Sequence, residues 1–352
     1  MAANHLTPDS SRSSLSVRYH AEDMSDAVRV AVVGVGSFGQ NHVRVLKDLP
    51  GASLAGIFDL SPARAQEIAA GAAVPVFDSL EALAGAADAA IVAVPTIAHE
   101  SVASYLLGQG LDVLVEKPIA STVAEGNHLT FLAAENGRIL QAGHLERYNP
   151  AIRALRRELT LPLFFEIHRM SIFTPRSLDI DVVLDLMIHD IDIVLASVEE
   201  EPYEIHASGI QVLSQKVDIA NVRLGFPGGC IANLTASRVS TDRIRKLRLF
   251  QPDQYFSLDY GKQNGVVFET SSADPRIRFR KLDVQPAEPL RLELEDFLDS
   301  VRTRRQPTVD GVAACRALRV AHAILAKIKE NGDLVAERIA GYRAKQSAMA
   351  SH

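Results

Sequence analysis

The chain has 352 residues, 47% of them hydrophobic and 23% charged, the balance of a soluble globular protein with room for two domains. Its 43 acidic and 37 basic residues leave a formal charge of −6, which argues against a general binder of nucleic acid or anionic membranes. Two cysteines, Cys230 and Cys315, offer neither metal spacing nor a disulfide framework, as expected in a reducing cytoplasm, and no apolar run reaches the roughly 18–20 residues that span a bilayer.

Residues 1–26 lack the apolar core of a signal peptide and read as a disordered leader. Asp9, Glu22, Asp23 and Asp26 disfavour an organelle transit peptide. A β-branched run at 28–33 predicts a strand, and "GVGSFG" follows with Gly34, Gly36 and Gly39 in G-x-G-x-x-G spacing before a helical pattern. In that context Gly34 allows the tight turn, Gly36 lets a pyrophosphate approach the backbone and Gly39 lets helix and strand pack closely. Ser37 and Phe38 complete the loop at a helix N-terminus, where free N–H groups favour phosphates. The next strand, 52–59, ends in Asp59, about 20 residues past Gly39, where the acid that binds the ribose hydroxyls of NAD belongs. NAD is the expected cofactor; Arg64, one turn on, keeps NADP as the minor alternative.

Strand and helix patterns then alternate, with strands at 74–77, 88–96, 111–117 and 138–144. This predicts a doubly wound parallel sheet over 27–149, an N-terminal Rossmann domain, with ligands beyond the carboxyl ends of its strands. Those ends carry Pro95 and Thr96, then "EKP" at 116–118, then "GHLERYNP" at 143–150.

After residue 150 the pattern changes. "VLDLMIHDIDIVL" (183–195) is helical, with Asp181, Asp185, His189 and Asp192 spaced as one polar stripe. Asp190 lies off that stripe. Strand patterns at 163–173, 203–213, 217–227, 230–240, 245–260, 265–270 and 276–284 suggest antiparallel hairpins. Helices follow at 290–304 and 311–332, closing a second domain at 150–332. The tail, 333–352, reads as loose or as a packing helix. The basic run 237–250 reads as the solvated face and edge of a strand, with a diphosphate site as the alternative.

The motifs "GVGSFGQNHVRVL", "VPTIAHE", "LVEKPIA", "GHLERYNP" and "DLMIHDID" resemble the Gfo/Idh/MocA family of sugar and inositol dehydrogenases, over about Val28 to Gly332. The resemblance implies an α/β fold, a Rossmann domain followed by an α/β domain on a large, mainly antiparallel open sheet. It implies hydride transfer between a nicotinamide cofactor and a secondary hydroxyl, homo-oligomers formed through the outer face of the second sheet, and Lys117, Asp185 and His189 around the reacting carbon. "DLMIHDID", "VDIANVRL" and "NLTASRVS" are closest to the branch that oxidises C3 of UDP-N-acetylglucosamine to a 3-keto sugar for lipid A precursors. A dehydrogenase of free sugar or inositol, or a non-catalytic NAD-binding regulator, are the alternatives.

The chemistry gives these residues roles. Lys117 at a strand end can stabilise a developing alkoxide. His189 is a candidate general base, although Lys117 could also take the proton. Asp185 would bind a substrate hydroxyl or orient the base. Glu116 either pairs with Lys117 or touches the nicotinamide ribose. Pro95, Thr96 and His99 fall where the family contacts the cofactor, and His99 could equally be an ordinary helix-start residue. His144, Arg147, Tyr148 and Asn149 occupy the crossover between domains and would line the substrate side. Arg147 and Arg176 are donors suited to phosphate or carboxylate, or to surface pairing. No ligand cluster suggests a metal.

Overall fold

The computed structural model describes residues 27–174, 180–271 and 274–350. Its first sheet has five parallel strands in the order β2-β1-β3-β4-β5: β1 Val28–Val33, β2 Ala52–Phe58, β3 Ala89–Val92, β4 Asp112–Glu116 and β5 Leu140–Gly143. β1, β3, β4 and β5 are short and almost wholly buried, because helices cover both faces, whereas the edge strand β2 is mostly half-buried. The helices are α1 Gly39–Lys47, α2 Pro62–Ala72, α3 Leu80–Ala86, α4 His99–Gly108 and α5 Val123–Glu135. The strand expected at 74–77 shrinks to a single parallel bridge between Val76 and Ile57. Pro75 lacks an N–H to donate, which limits the pairing.

The helix α6, Pro150–Arg157, leads into an eight-stranded sheet ordered β13-β12-β11-β10-β6-β9-β8-β7. Its strands are β6 Phe164–Ile172, β7 Glu204–Ile210, β8 Ile219–Gly225, β9 Ile231–Ser240, β10 Ile244–Gln251, β11 Gln254–Asp259, β12 Asn264–Ser271 and β13 Asp274–Lys281. Every neighbouring pair is antiparallel except β6 with β9. The single run expected over 245–260 is two strands, broken where Asp253 takes φ +63° after Pro252.

Alternation along β10 turns Leu247 and Leu249 inward, whereas Lys246 and Arg248 are exposed, and Arg248 pairs with Glu166 at 2.8 Å. The basic run is thus largely a solvated strand face. On the outer face Phe164, Phe250, Tyr255, Phe268 and Phe279 form a ladder of rings with centroids 4.5–5.7 Å apart. Between β6 and β7 lie one π-helical turn, Val183–Met187, and α7, Ile188–Val198; α8, Pro289–Thr303, and α9, Gly311–Ala350, follow β13. Helix α9 packs against α5 of the first layer and against α7 and β7 of the second, so it ties the two together. It continues well past residue 332, so the tail is helical through Ala350.

Candidate active site

The turn after β1 passes through Gly34 at φ +84°, where a Cβ would lie 2.8 Å from the Ala93 carbonyl oxygen. A Cβ at Gly39 would lie 1.9 Å from the Gly34 carbonyl oxygen, so helix and turn meet only through glycine. At Gly36 a Cβ would meet nothing within 4 Å, which leaves the backbone open to a ligand. No side chain caps α1. Asp59 accepts hydrogen bonds from the Val35 and Ser61 amides, each at 2.8 Å, and lone pairs remain for ribose hydroxyls. Arg64 is tied to the Val35 carbonyl, Gln40 and Glu67. An open glycine cradle, an uncapped helix start and a fixed carboxylate fit a dinucleotide with free ribose hydroxyls.

Beyond β3, Pro95 and Thr96 line a cleft of about 400 Å³ together with Phe38, Lys117, Asp185 and Lys216. His99 is part of this lining, although only 1% exposed, with Nδ1 at 2.8 Å from the Pro118 carbonyl and Nε2 at 2.9 Å from the Val94 carbonyl. Burial pushes its pKa down, against the opposing pull of those carbonyls. Both ring nitrogens lie on carbonyl oxygens, so His99 braces the loops after β3 and β4. The Lys117–Pro118 peptide it supports is cis.

Lys117 donates from Nζ to the Asp185 carbonyl at 2.6 Å and to Asp185 Oδ1 at 3.1 Å. It also lines a second cavity, about 330 Å³, which contains His189, Phe38 and Asn41. One buried ammonium therefore faces the carboxylate in one cavity and the imidazole in the other. Asp185 falls in the π-helical turn and His189 in α7, so their α-helical four-residue spacing is not kept. Glu116 does not pair through Nζ of Lys117. Its Oε1 lies 2.7 Å from Nε2 of His42, a buried histidine on α1 that the sequence reading did not single out. Burial alone would raise the Glu116 pKa, but His42 and then Lys117 hold it below the usual carboxylate range.

Burial drives the His189 imidazole well below the ordinary histidine range, and Lys117, Arg169, His144 and Arg245 reinforce the shift. The shift favours the neutral imidazole, the form that a general base needs. Its neighbour His144 is 1% exposed, with the two rings edge to face at 5.9 Å. Burial lowers the His144 pKa as well. His189 Nδ1 and both nitrogens of His144 have no hydrogen-bond partner, a state that costs about 1–3 kcal/mol per buried polar group.

The rest of the crossover points elsewhere. Arg147 pairs with Asp192 at 3.2 Å and donates to the Thr308 carbonyl. Tyr148 donates to Asp296 at 2.8 Å, and Asn149 caps α6 and donates to the Tyr260 carbonyl. None of these three lines either cavity around Lys117. His144 lines neither cavity either and reaches the site through its ring contact with His189, while successive residues of the short 3₁₀ turn face different directions. Arg176 lies outside the described residues. Asp192 leaves the predicted polar stripe and is buried on Arg147, while Asp190 is buried on Arg169 and Tyr260. Among the described residues no group of three or more His, Cys, Asp or Glu could hold a metal, and no helix is long and apolar enough to cross a membrane.

Residues 28–144 match the family model described as oxidoreductase family, NAD-binding Rossmann fold, and residues 160–251 match the GFO/IDH/MocA C-terminal domain. The chain is 35% identical over 299 residues to a UDP-N-acetylglucosamine 3-dehydrogenase of Acidithiobacillus ferrooxidans, covering 84% of this chain and 95% of that one. A solved structure of that dehydrogenase superposes with a TM-score of 0.82 at 34% identity, over 86% of this chain and 98% of the other. An inositol 2-dehydrogenase of Mycolicibacterium smegmatis is 34% identical over 196 residues, 52% of this chain and 56% of that protein.

Proposed function

The chain is an NAD-dependent oxidoreductase of the Gfo/Idh/MocA family, and we propose that it oxidises C3 of UDP-N-acetylglucosamine to the 3-keto sugar. The observation that carries the site assignment is Lys117, held by Asp185 and lining the cavity of His189. When bound, the cofactor accepts the hydride from the substrate carbon. The Gly34–Gly39 loop and the start of α1, with Ser37 and Phe38, hold its pyrophosphate, and Asp59 holds the adenosine ribose. Pro95, Thr96 and Glu116 flank its nicotinamide half. Lys117 stabilises the developing alkoxide, Asp185 fixes the ammonium and His189 takes the hydroxyl proton. Residues 27–149 serve the cofactor and 150–332 the substrate.

The nucleotide part of the substrate rests on the similarity over 84% of this chain to a UDP-sugar enzyme and on Lys216. That exposed lysine lines the same cleft as Asp185 and has no ion-pair partner among the described residues. The aromatic ladder on the outer sheet face supports a homo-oligomer joined there. Incubating enzyme and NAD⁺ with UDP-N-acetylglucosamine, myo-inositol and glucose, and reading products by mass spectrometry, tests the assignment. The expected product is the UDP-sugar less two hydrogens; oxidation of only the free polyols rejects the assignment.

A further inference from the structure

The connection between β7 and β8 lies on the surface, yet its backbone is tied inward. Val212 and Leu213 are 53% and 56% exposed, and Lys216 is exposed as well. Surface loops of that kind ordinarily give their amides to water and move. Here five of the six backbone amides from Val212 to Val217 are bound to side chains. Those of Val212, Leu213 and Ser214 donate to Asp218 Oδ2 at 2.7, 2.7 and 3.0 Å. That of Lys216 donates to Ser214 Oγ at 3.0 Å, and that of Val217 to Asp181 Oδ1 at 2.8 Å.

Beneath the loop Asp218 and Arg238 form an ion pair, 0% and 5% exposed. The guanidinium of Arg238 donates from Nε to Asp218 Oδ1 at 2.8 Å, from Nη2 to Ser214 Oγ at 2.8 Å and from Nη1 to the Ile180 carbonyl at 2.6 Å. Ser214 Oγ donates in turn to Asp218 Oδ1 at 2.7 Å. A buried ion pair is a weak source of stability, because both charges lose their hydration. What this pair secures is placement. Ile180, Asp181 and Lys216 line the cleft that contains Asp185, whereas Ser214, Asp218 and Arg238 do not. The Val182 amide also donates to the Val217 carbonyl at 2.9 Å, so the loop is closed onto the segment that leads into the π-helical turn of Asp185.

We propose that Ser214, Asp218 and Arg238 are positioning residues for substrate specificity, holding the 212–217 loop in one conformation so that Lys216 stands ready for the substrate's diphosphate. The inference rests on the diphosphate reading of Lys216 given above. A loop fixed before binding does not have to be ordered by the ligand, which raises affinity without a new contact. The three residues act through Lys216 and touch neither substrate nor cofactor. The same ties hold the loop in fixed relation to Asp185, so the arrangement favours a sugar whose anionic group lies at a set reach from the reacting carbon. A neutral free sugar or cyclitol gains nothing from it.

The test uses the full chain with UDP-N-acetylglucosamine and NAD⁺, read as initial rates of NADH formation. Ser214→Ala removes the acceptor of the Lys216 amide and one contact of Arg238. It should raise KM for the sugar nucleotide roughly threefold to tenfold, with kcat within about twofold of wild type and NAD affinity by calorimetry unchanged. In a Lys216→Ala background the same change should add nothing, because the side chain that the loop positions is gone. A packing defect alone would act in both backgrounds. Arg238→Lys keeps a charge beside Asp218 without the planar fork that spans three partners, and should raise KM in the same way. Hydrogen exchange of amides 212–217 should be slow in the wild type and faster in Ser214→Ala. An unchanged KM in both variants overturns the proposal, as does a KM rise of equal size with Lys216 absent, or fast exchange in the wild type. Calorimetry with UDP separates this inference from the reaction assignment. If UDP-N-acetylglucosamine is not oxidised but UDP binds and Ser214→Ala weakens it, only the reaction assignment fails. A wild type that binds no UDP overturns both.

Discussion

Replacing Lys117 with Met keeps the length of the side chain and removes its charge. Lys117 is 10% exposed, so solvent screens it poorly. At an effective dielectric near 20, a unit charge about 3–4 Å from an alkoxide is worth about 4–6 kcal/mol. Loss of one donor to a developing oxyanion costs about 2.7–4 kcal/mol in enzymes, so kcat should fall by about 10²–10³. A second signature separates this role from damage to the fold. After burial, Lys117 is the largest of the influences that hold the His189 pKa down, so removing it raises that pKa. The base works only when deprotonated, and the acid limb of kcat/KM therefore moves to higher pH in the variant. Asp185 is 24% exposed and can hydrate once unpaired, so the fold survives. Initial rates of NADH formation across pH give both quantities. Calorimetry gives NAD affinity, which should be nearly unchanged; fluorescence is a poor choice because the chain has no tryptophan. A kcat within tenfold of wild type, or an acid limb that stays in place or moves down, refutes the reasoning.

Lys216→Ala should raise KM for UDP-N-acetylglucosamine about tenfold, the share of one charge-assisted contact of about 1.5 kcal/mol, with kcat nearly constant; an unchanged KM removes Lys216 from the diphosphate site. Glu293, 1% exposed, has its carboxyl pushed well above the usual range by burial, with Glu116 and Asp296 adding to it. A raised folded pKa gives stability that is complete below the unfolded value and lost as pH rises through the folded one. Glu293→Gln should therefore raise Tm above neutral pH and flatten the decline, and thermal melts at several pH values with identical slopes would refute this. Asp218, 0% exposed, accepts from three successive backbone amides at 2.7–3.0 Å, from Ser214 Oγ and from Arg238, and these bonds hold its carboxyl below the usual range despite burial. Its contribution is present above the unfolded carboxylate pKa and fades as pH falls through the folded one. Asp218→Ala removes the buried carboxylate that these five donors share and should cost about 3–5 kcal/mol in urea unfolding at neutral pH, whereas a loss below about 1 kcal/mol would show that the loop repacks.

The residues readable from sequence are those whose role is fixed by backbone geometry or by position at a strand end. Gly34 and Gly39 are dictated by contacts that any side chain would break, and Lys117 follows from where β4 must stop. Direction around a turn is not readable in that way. Arg147, Tyr148 and Asn149 follow His144 in sequence, yet their side chains leave the cleft for Asp192, Asp296 and Tyr260. The spacing of α7 misled for a related reason, because a π turn at Val183–Met187 resets the faces just before His189. The partners that explain the acids of this apolar segment come from distant strands and loops, which no local pattern announces. Asp185 answers Lys117 from the end of β4, Asp190 answers Arg169 from β6, and Asp192 answers Arg147 from the crossover. Removing one member of a buried pair leaves the other uncompensated, at a cost of about 3–5 kcal/mol, so each acid is tied to its own cation. Only the first pair opens onto the cofactor cleft. The other two hold the helix from behind, and that fixed frame is what keeps His189 beside Lys117.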